Sequence, residues 1–349
     1  MTHPAPAMNQ PSVPPTPEPA AGRLVVSLIF PVFNEEAALP RLFPRLDRVV
    51  EGLIGSESDI RGFDDVEAIF VDDGSRDASY ELLTRYAADR PWMRVLSLSR
   101  NFGHQIAVTA GMEHARGRAV ALLDADLQDP PELLPAMLQR WREGAEVVYA
   151  VRTERAGETW FKKATASLFY RLLRRLTAVD IPADTGDFRL MDRKVVDALN
   201  RMGEHHRFLR GMAAWVGFRQ VGMPYQREAR AAGETKYPLR KMGKLAMDAV
   251  CSFSHAPLRL ATNLGWGIAA VAIAYAVVVA VRRLFFGVGV PGWASLVVAL
   301  SFLSGVQLIT LGLIGEYIGR IYDEVKGRPL YLVSRRAGFG DDERPERTG

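Results

Sequence analysis

The sequence predicts an α/β domain on a mostly parallel sheet, followed by amphipathic interfacial helices and two transmembrane helices. Three observations lead there. Apolar, β-branched runs alternate with helical patterns between residues 23 and 151, the pattern of a parallel sheet with crossover helices. Polar clusters follow the apolar runs directly, at the strand ends where such sheets bind their ligands. Ala261–Val281 and Pro291–Gly315 carry no charged residue, and roughly 20 apolar residues are enough to cross a bilayer.

Taken in order, Met1–Gly22 holds seven prolines and almost no large apolar side chains, so residues 1–22 read as a disordered tail. Arg23–Phe30 reads as a strand buried on both faces. Val66–Val71, Arg94–Leu98, Ala119–Leu123 and Glu146–Val151 repeat the pattern, separated by helices near Glu35–Leu53, Ala78–Ala88, Gln105–Ala115 and Pro131–Glu143. A domain is expected at 23–235, a juxtamembrane segment at 236–258, the two spans at 259–316 and a cytoplasmic tail at 317–349. No signal peptide is recognised before the spans, so the domain is expected on the cytoplasmic side. Arg282 and Arg283 between the spans oppose the positive-inside bias, but the surplus near Arg240–Lys244 and Arg320–Arg336 outweighs them, keeping both termini cytoplasmic.

The densest chemistry lies in Ala121–Leu133, A-L-L-D-A-D-L-Q-D-P-P-E-L. Along an extended chain, residues two apart point the same way, so Asp124 and Asp126 can converge beyond a strand's carboxyl end. Hard divalent cations take oxygen ligands and complete their shells with substrate phosphates, so the pair suits a metal–diphosphate site, with Gln128 as a third oxygen donor. Asp129 as N-cap, Pro130 at the first helical position and Glu132 as capping-box partner predict a helix start. A helix cap alone would explain Asp129 and Glu132 but not Asp124 and Asp126. Pro31–Glu36, Asp72–Asp77 and Arg100–Gln105 follow three other strands, and the four clusters together point to a nucleotide or sugar site. Phe33 can stack on a base or pack in the core, and Glu35 can accept from base or ribose. Asp180–Asp192 (D-I-P-A-D-T-G-D-F-R-L-M-D) reads as a polar active-site loop.

Other features narrow the class. No G-x-G-x-x-G follows the first strand and no G-x-x-x-x-G-K-[ST] occurs, which argues against a dinucleotide dehydrogenase and a P-loop NTPase. A formal net charge of +4 and a pI near 9.2 fit an anionic lipid surface rather than nucleic acid. The lone Cys251 excludes an internal disulfide. Glu158–Leu176 sets Trp160, Ala164, Leu168, Leu172 and Leu176 on one helical face against a strongly basic remainder, the pattern of a helix lying in the membrane interface. His205–Lys241 is rich in Arg and Lys, and Arg230 and Lys236 flank a flexible A-A-G-E-T segment suited to closing over phosphates.

With these residues in view, the chain resembles glycosyltransferase family 2, specifically its polyprenyl-phosphate glycosyltransferases. The resemblance covers roughly Leu24–Arg328. It rests on P-V-F-N-E-E (Pro31–Glu36), V-D-D-G-S-R-D (Val71–Asp77), S-R-N-F-G-H-Q (Ser99–Gln105), D-A-D-L-Q-D-P-P-E (Asp124–Glu132), D-T-G-D-F-R-L (Asp184–Leu190), G-E-T-K-Y (Gly233–Tyr237) and the two carboxy-terminal spans. It implies a nucleotide-sugar-binding Rossmann-like domain of the GT-A type in which Pro31, Phe33, Glu35, Val71, Asp73, Asp124, Ala125 and Asp126 bind a UDP-sugar. It further implies Mg²⁺ or Mn²⁺ on Asp124, Asp126 and Gln128, Asp187 as the catalytic carboxylate, and phosphate contacts from Arg189, Arg207, Arg230 and Lys236. The implied reaction is inverting transfer of one sugar, glucose by default, to undecaprenyl (polyprenyl) phosphate at the inner membrane, for the cell envelope. A lipid bilayer, a homo-oligomer and a separate flippase are the implied partners. The Q-x-x-R-W of processive synthases is absent, which favours single transfer. A membrane-anchored transferase with another acceptor and a non-catalytic membrane scaffold stay open at this point.

Overall fold

A computed structural model describes residues 25–54, 65–152, 185–225, 254, 256–286 and 292–339. They divide into a sheet domain, which residues 329–339 rejoin at the end of the chain, and a separate helical hairpin.

The sheet domain opens with β1 (Val25–Val32), α1 (Leu39–Ile54), β2 (Asp65–Asp72), α2 (Ser79–Ala88), β3 (Met93–Leu98), α3 (His104–His114) and β4 (Ala119–Leu122). A 3-10 turn at Pro131–Leu133 leads into α4 (Leu134–Arg142), then β5 (Val147–Arg152), β6 (Thr185–Asp192), α5 (Arg193–Asn200), α6 (Leu209–Trp215) and β7 (Gln220–Tyr225). The hairpin is α7 (Ala256–Phe286) and α8 (Trp293–Lys326), and β8 (Val333–Ala337) follows it. Strand order is β7-β5-β6-β4-β1-β2-β3-β8. β1 pairs in parallel with both β2 and β4, so the chain winds one way through β1, β2 and β3 and the other way through β4. The crevice at such a reversal, beyond the strands' carboxyl ends, is where open α/β sheets bind ligands.

Packing follows from the sequence pattern. Leu39, Leu42, Phe43, Leu46, Val50 and Leu53 recur at three and four residues and are buried, so α1 turns one apolar stripe to the sheet. It meets the face carrying Phe30 and Phe70, which are register partners stacked 4.7 Å apart, with Phe43 5.9 Å from Phe70. Burying each such ring is worth about 1.5–3 kcal/mol. α3 covers the opposite face at close range, because a Cβ on Gly111 would lie 2.3 Å from the Ile29 side chain.

Four expectations are corrected. Thr185–Asp192 is not a loop but β6, antiparallel to both β4 and β5. Phe188 and Leu190 fill the core on one face of it, while Asp187 and Arg189 lie on the other. The capping box does not form. The consecutive prolines shift the helix start to a 3-10 turn, Asp129 turns inward to accept from the Tyr225 hydroxyl, and Glu132 pairs through both oxygens with Arg45 at 2.7 Å. The second long helix does not stop at residue 316 but runs to Lys326. The expected tail then supplies β8, antiparallel to β3.

β8 is held by more than its ladder. Tyr331 donates to the half-buried carboxylate of Glu113 on α3, Arg335 lies 3.8 Å over the Tyr80 ring, and Arg94 lies 5.3 Å over the Phe339 ring. Partial burial raises both the Glu113 carboxyl and the Tyr331 phenol. The hairpin helices expose their apolar side chains along Pro257–Val279 and Leu296–Lys326, segments of 23 and 31 residues, long and apolar enough to cross a membrane.

Tyr331→Phe removes the donor to Glu113, a loss of about 0.5–1.5 kcal/mol for a half-buried hydrogen bond. Amides of Met93–Leu98 and Val333–Ala337 should then exchange hydrogen faster. Unchanged protection would mean that the ladder alone holds the strand.

Candidate active site

The loops after β1 and β2 are clasped together. Asn34 N–H donates to Ser75 Oγ and Glu35 N–H to Ser79 Oγ, at 3.0 and 2.9 Å. Arg76 N–H returns a bond to Asn34 Oδ1 and Ala78 N–H one to Glu36 Oε2. Asn34 adopts φ 55°, a left-handed conformation that Asn tolerates. The clasp leaves Phe33 42% exposed at the rim, an open ring surface instead of a core residue. Glu35 is half-buried beside it. Val71 and Ala125, expected at the nucleotide, have buried side chains and give shape beneath the loops, not exposed surface.

Asp73 fixes the third loop. Its oxygens accept from Phe102 N–H at 2.7 Å and Gly103 N–H at 2.9 Å. Burial raises its carboxyl against the pull of these two amides. Gly103 sits at φ 103°, where only glycine is at ease, and its carbonyl accepts the first turn of α3 from Ile106 and Ala107. His104 therefore emerges at a fixed point at the start of α3.

The D-x-D leaves β4 as a strained turn. Leu127 has φ 64°, which costs a bulky L-residue about 1–2 kcal/mol. Its side chain is buried in the core, which offsets the strain, and Gln128 N–H donates to Asp126 Oδ1 at 3.1 Å. Asp124 stays partly open. Burial, with the charges of Asp129, Asp187 and Asp126 added and that of His104 opposing, pushes its carboxyl up to about 7.

β6 brings Asp187 to the same place. Leu122 on β4 faces Arg189 on β6, and extending that antiparallel register by two residues sets Asp187 opposite Asp124. His104 Nε2 lies 3.2 Å from Asp187 Oδ2 and 3.8 Å from Asp124 Oδ1. On the other side Arg210, from α6, donates through Nε to Asp187 Oδ1 at 2.7 Å and through Nη2 to Oδ2 at 3.2 Å. Burial would raise the Asp187 carboxyl, but Arg210 and His104 outweigh it and hold it well below the usual carboxylate range. Burial would lower His104, but Asp187 and Asp124 outweigh it and raise the imidazole.

Other expected residues sit elsewhere. Arg207 is not presented to a phosphate. It is buried, with its guanidinium donating to the carbonyls of Leu199, Met202 and Glu204 and to Thr109 Oγ1. Arg189 is also buried, with Nε and Nη2 directed at the carbonyls of Asp187 and Gly186 at 3.3 Å, and burial lowers it to about 10. Residues 158–176, Asp184, Arg230 and Lys236 lie outside the described residues. His104 and Arg210 were missed by sequence reasoning. The signal for His104 was its place in S-R-N-F-G-H-Q after β3, while Arg210 was one cation among many.

The donor set fits a hard divalent cation. Asp124 and Asp126 offer carboxylate oxygens on one turn, and burial together with the neighbouring carboxylates disfavours ionisation of Asp124. Among the described residues no three His, Cys, Asp or Glu side chains form a closed metal cage, so the remaining ligands would come from substrate oxygens and water.

Residues 27–199 match Glycosyl transferase family 2, and residues 256–321 match the GtrB C-terminal hairpin. An uncharacterized glycosyltransferase of Bacillus subtilis (strain 168), YkcC, is 50% identical over 90% of this chain and 94% of its own. The prophage bactoprenol glucosyl transferase homolog of Escherichia coli (strain K12) is 40% identical over 89% of this chain and 98% of its own. The bactoprenol glucosyl transferase of Shigella phage SfX is 40% identical over 89% and 99%.

Asp73→Asn replaces one of two acceptors with an amide that faces an N–H group. The loop before His104 should loosen, with a stability loss of about 1–3 kcal/mol. Thermal melting and UDP titration should fall together. An unchanged melting temperature with weakened UDP binding would assign Asp73 to the nucleotide alone.

Proposed function

Because the chain belongs to glycosyltransferase family 2 and continues into a GtrB C-terminal hairpin, we propose that it transfers one glucose from UDP-glucose to a polyprenyl phosphate at the cytoplasmic face of the membrane. The chain is a glycosyltransferase with a GT-A Rossmann-like sheet. The observation that carries the finer reading is the meeting of Asp124 and Asp187, from two neighbouring strands, around His104 at the sheet's reversal point. Relatives named bactoprenol glucosyl transferase support the acceptor and the sugar.

Phe33, exposed beside the clasped loops, offers a stacking surface for the base. Asp124 and Asp126, with Gln128 beside them, would hold the cation against the diphosphate. When bound, that cation neutralises charge on the departing diphosphate. An acceptor phosphate oxygen forms the new bond to the anomeric carbon as the bond to UDP breaks, the electron pair leaving with UDP and the configuration inverting. Asp187, with both oxygens engaged, serves as a fixed negative charge facing oxocarbenium character on the sugar.

The chain leaves the sheet domain for two apolar helices and returns to the same sheet as β8. If both helices cross the bilayer, two crossings restore the chain to the side it left, which supports one cytoplasmic face for both ends.

Two tests apply. Transfer from UDP-glucose to undecaprenyl phosphate by membrane-reconstituted protein should vanish in excess chelator and return with Mg²⁺ or Mn²⁺, and Asp126→Asn should weaken metal-dependent UDP binding without unfolding. Full activity in chelator would sink the metal assignment, and transfer of another UDP-sugar alone would replace glucose. In intact cells, an impermeant thiol reagent should label cysteines placed within residues 282–292 and spare those placed within 327–339. Labelling of the latter would overturn the two-span topology.

A further inference from the structure

Resting on the glycosyltransferase reading, we propose that His104 and Arg210 are positioning residues for the transfer, fixing Asp187 relative to the D-x-D. His104 Nε2 stands between carboxylates delivered by two different strands, 3.2 Å from Asp187 and 3.8 Å from Asp124. Arg210 grips both Asp187 oxygens from the opposite side. Asp187 Oδ1 thus has one donor and Oδ2 has two, so its orientation is set by three contacts from two helices.

Those helices are themselves anchored. Asp73 holds the amides of Phe102 and Gly103 just before His104, and Gly111 lets α3 close onto Ile29. The next residue, Gln105, accepts from Leu209 N–H at 2.9 Å, at the start of the helix that carries Arg210. Neighbouring residues of one motif therefore govern both sides of Asp187: His104 touches it, and Gln105 places the helix of its other partner. Stability alone would give these two helix residues little reason to sit here, since partly exposed ion pairs add little to folding. A catalytic carboxylate, by contrast, loses rate steeply when its aim drifts.

The test uses the full chain in nanodiscs, with single-turnover transfer from UDP-glucose to undecaprenyl phosphate and UDP titration in Mn²⁺. His104→Leu should slow transfer about 10–100-fold, while UDP affinity stays within about 3-fold, because the loss falls on the transition state. His104→Gln keeps an N–H able to reach Asp187 and should recover most of that loss. Arg210→Gln should slow transfer, and Arg210→Lys, which keeps the charge but not the fork, should recover it only in part. Wild-type rates in His104→Leu would overturn the inference. So would equal losses in His104→Leu and His104→Gln at an unchanged melting temperature, or a loss confined to UDP affinity. A wild type that transfers from no UDP-sugar would overturn the glycosyltransfer reading itself, and the inference with it.

Discussion

Four carboxylates converge at the carboxyl end of β4, and the site depends on how their repulsion is resolved. Each meets a different set of partners. Asp129 turns into the interior against the Tyr225 hydroxyl. Asp126 accepts the amide of Gln128 within its own turn. Asp187 is gripped by Arg210 and His104. Asp124 has the 3.8 Å approach of His104, and its carboxyl is the one pushed up to about 7. It is the member that the proposed cation would relieve most. Strain at Leu127 belongs to the same arrangement, because the left-handed turn sets Asp126 beside Gln128 while its own side chain stays in the core.

Most of this was legible in the sequence where pattern and chemistry are local. Parallel strands buried on both faces appear as continuous apolar runs, and the four clusters after them sit where the sheet presents its loops. Three features were not legible, each for a physical reason. β6 reads as polar because one of its faces carries Asp187 and Arg189, and its apolar face is disclosed only by its pairing between β4 and β5. β8 is short and basic, and forms only because β3 offers an open edge and α3 offers Glu113. Arg207 resembles its cationic neighbours in sequence, but three carbonyls near the end of α5 claim its guanidinium. Residue type gave the inventory, while tertiary pairing decided which cations reach the site.

The return strand also bears on how the chain is organised. An apolar hairpin appended to a sheet domain could end in a loose tail. Here the residues after α8 close the sheet edge at β3 and reach the carboxyl end of α3 through Tyr331. The amino end of the same helix carries His104. One eleven-residue helix thus has the return segment docked at one end and the paired carboxylates at the other. Closing the edge has a second effect, since an unpaired strand edge is a template for wrong association.

The geometry around Asp187 also bears on the proposed acceptor. A hydroxyl acceptor needs a base within hydrogen-bond reach, with lone pairs ready to take a proton. Both oxygens of Asp187 already accept from Arg210 or His104, so they are committed to holding a position. A phosphate monoester carries about −1.5 to −2 charge at pH 7 and brings its attacking oxygen largely deprotonated. What it needs is relief from the negative field of the surrounding carboxylates. Arg210 supplies positive charge at that point, and together with His104 it flanks Asp187. A carboxylate whose two oxygens are already held by Arg210 and His104 fits the anionic acceptor proposed above better than a hydroxyl that needs a base.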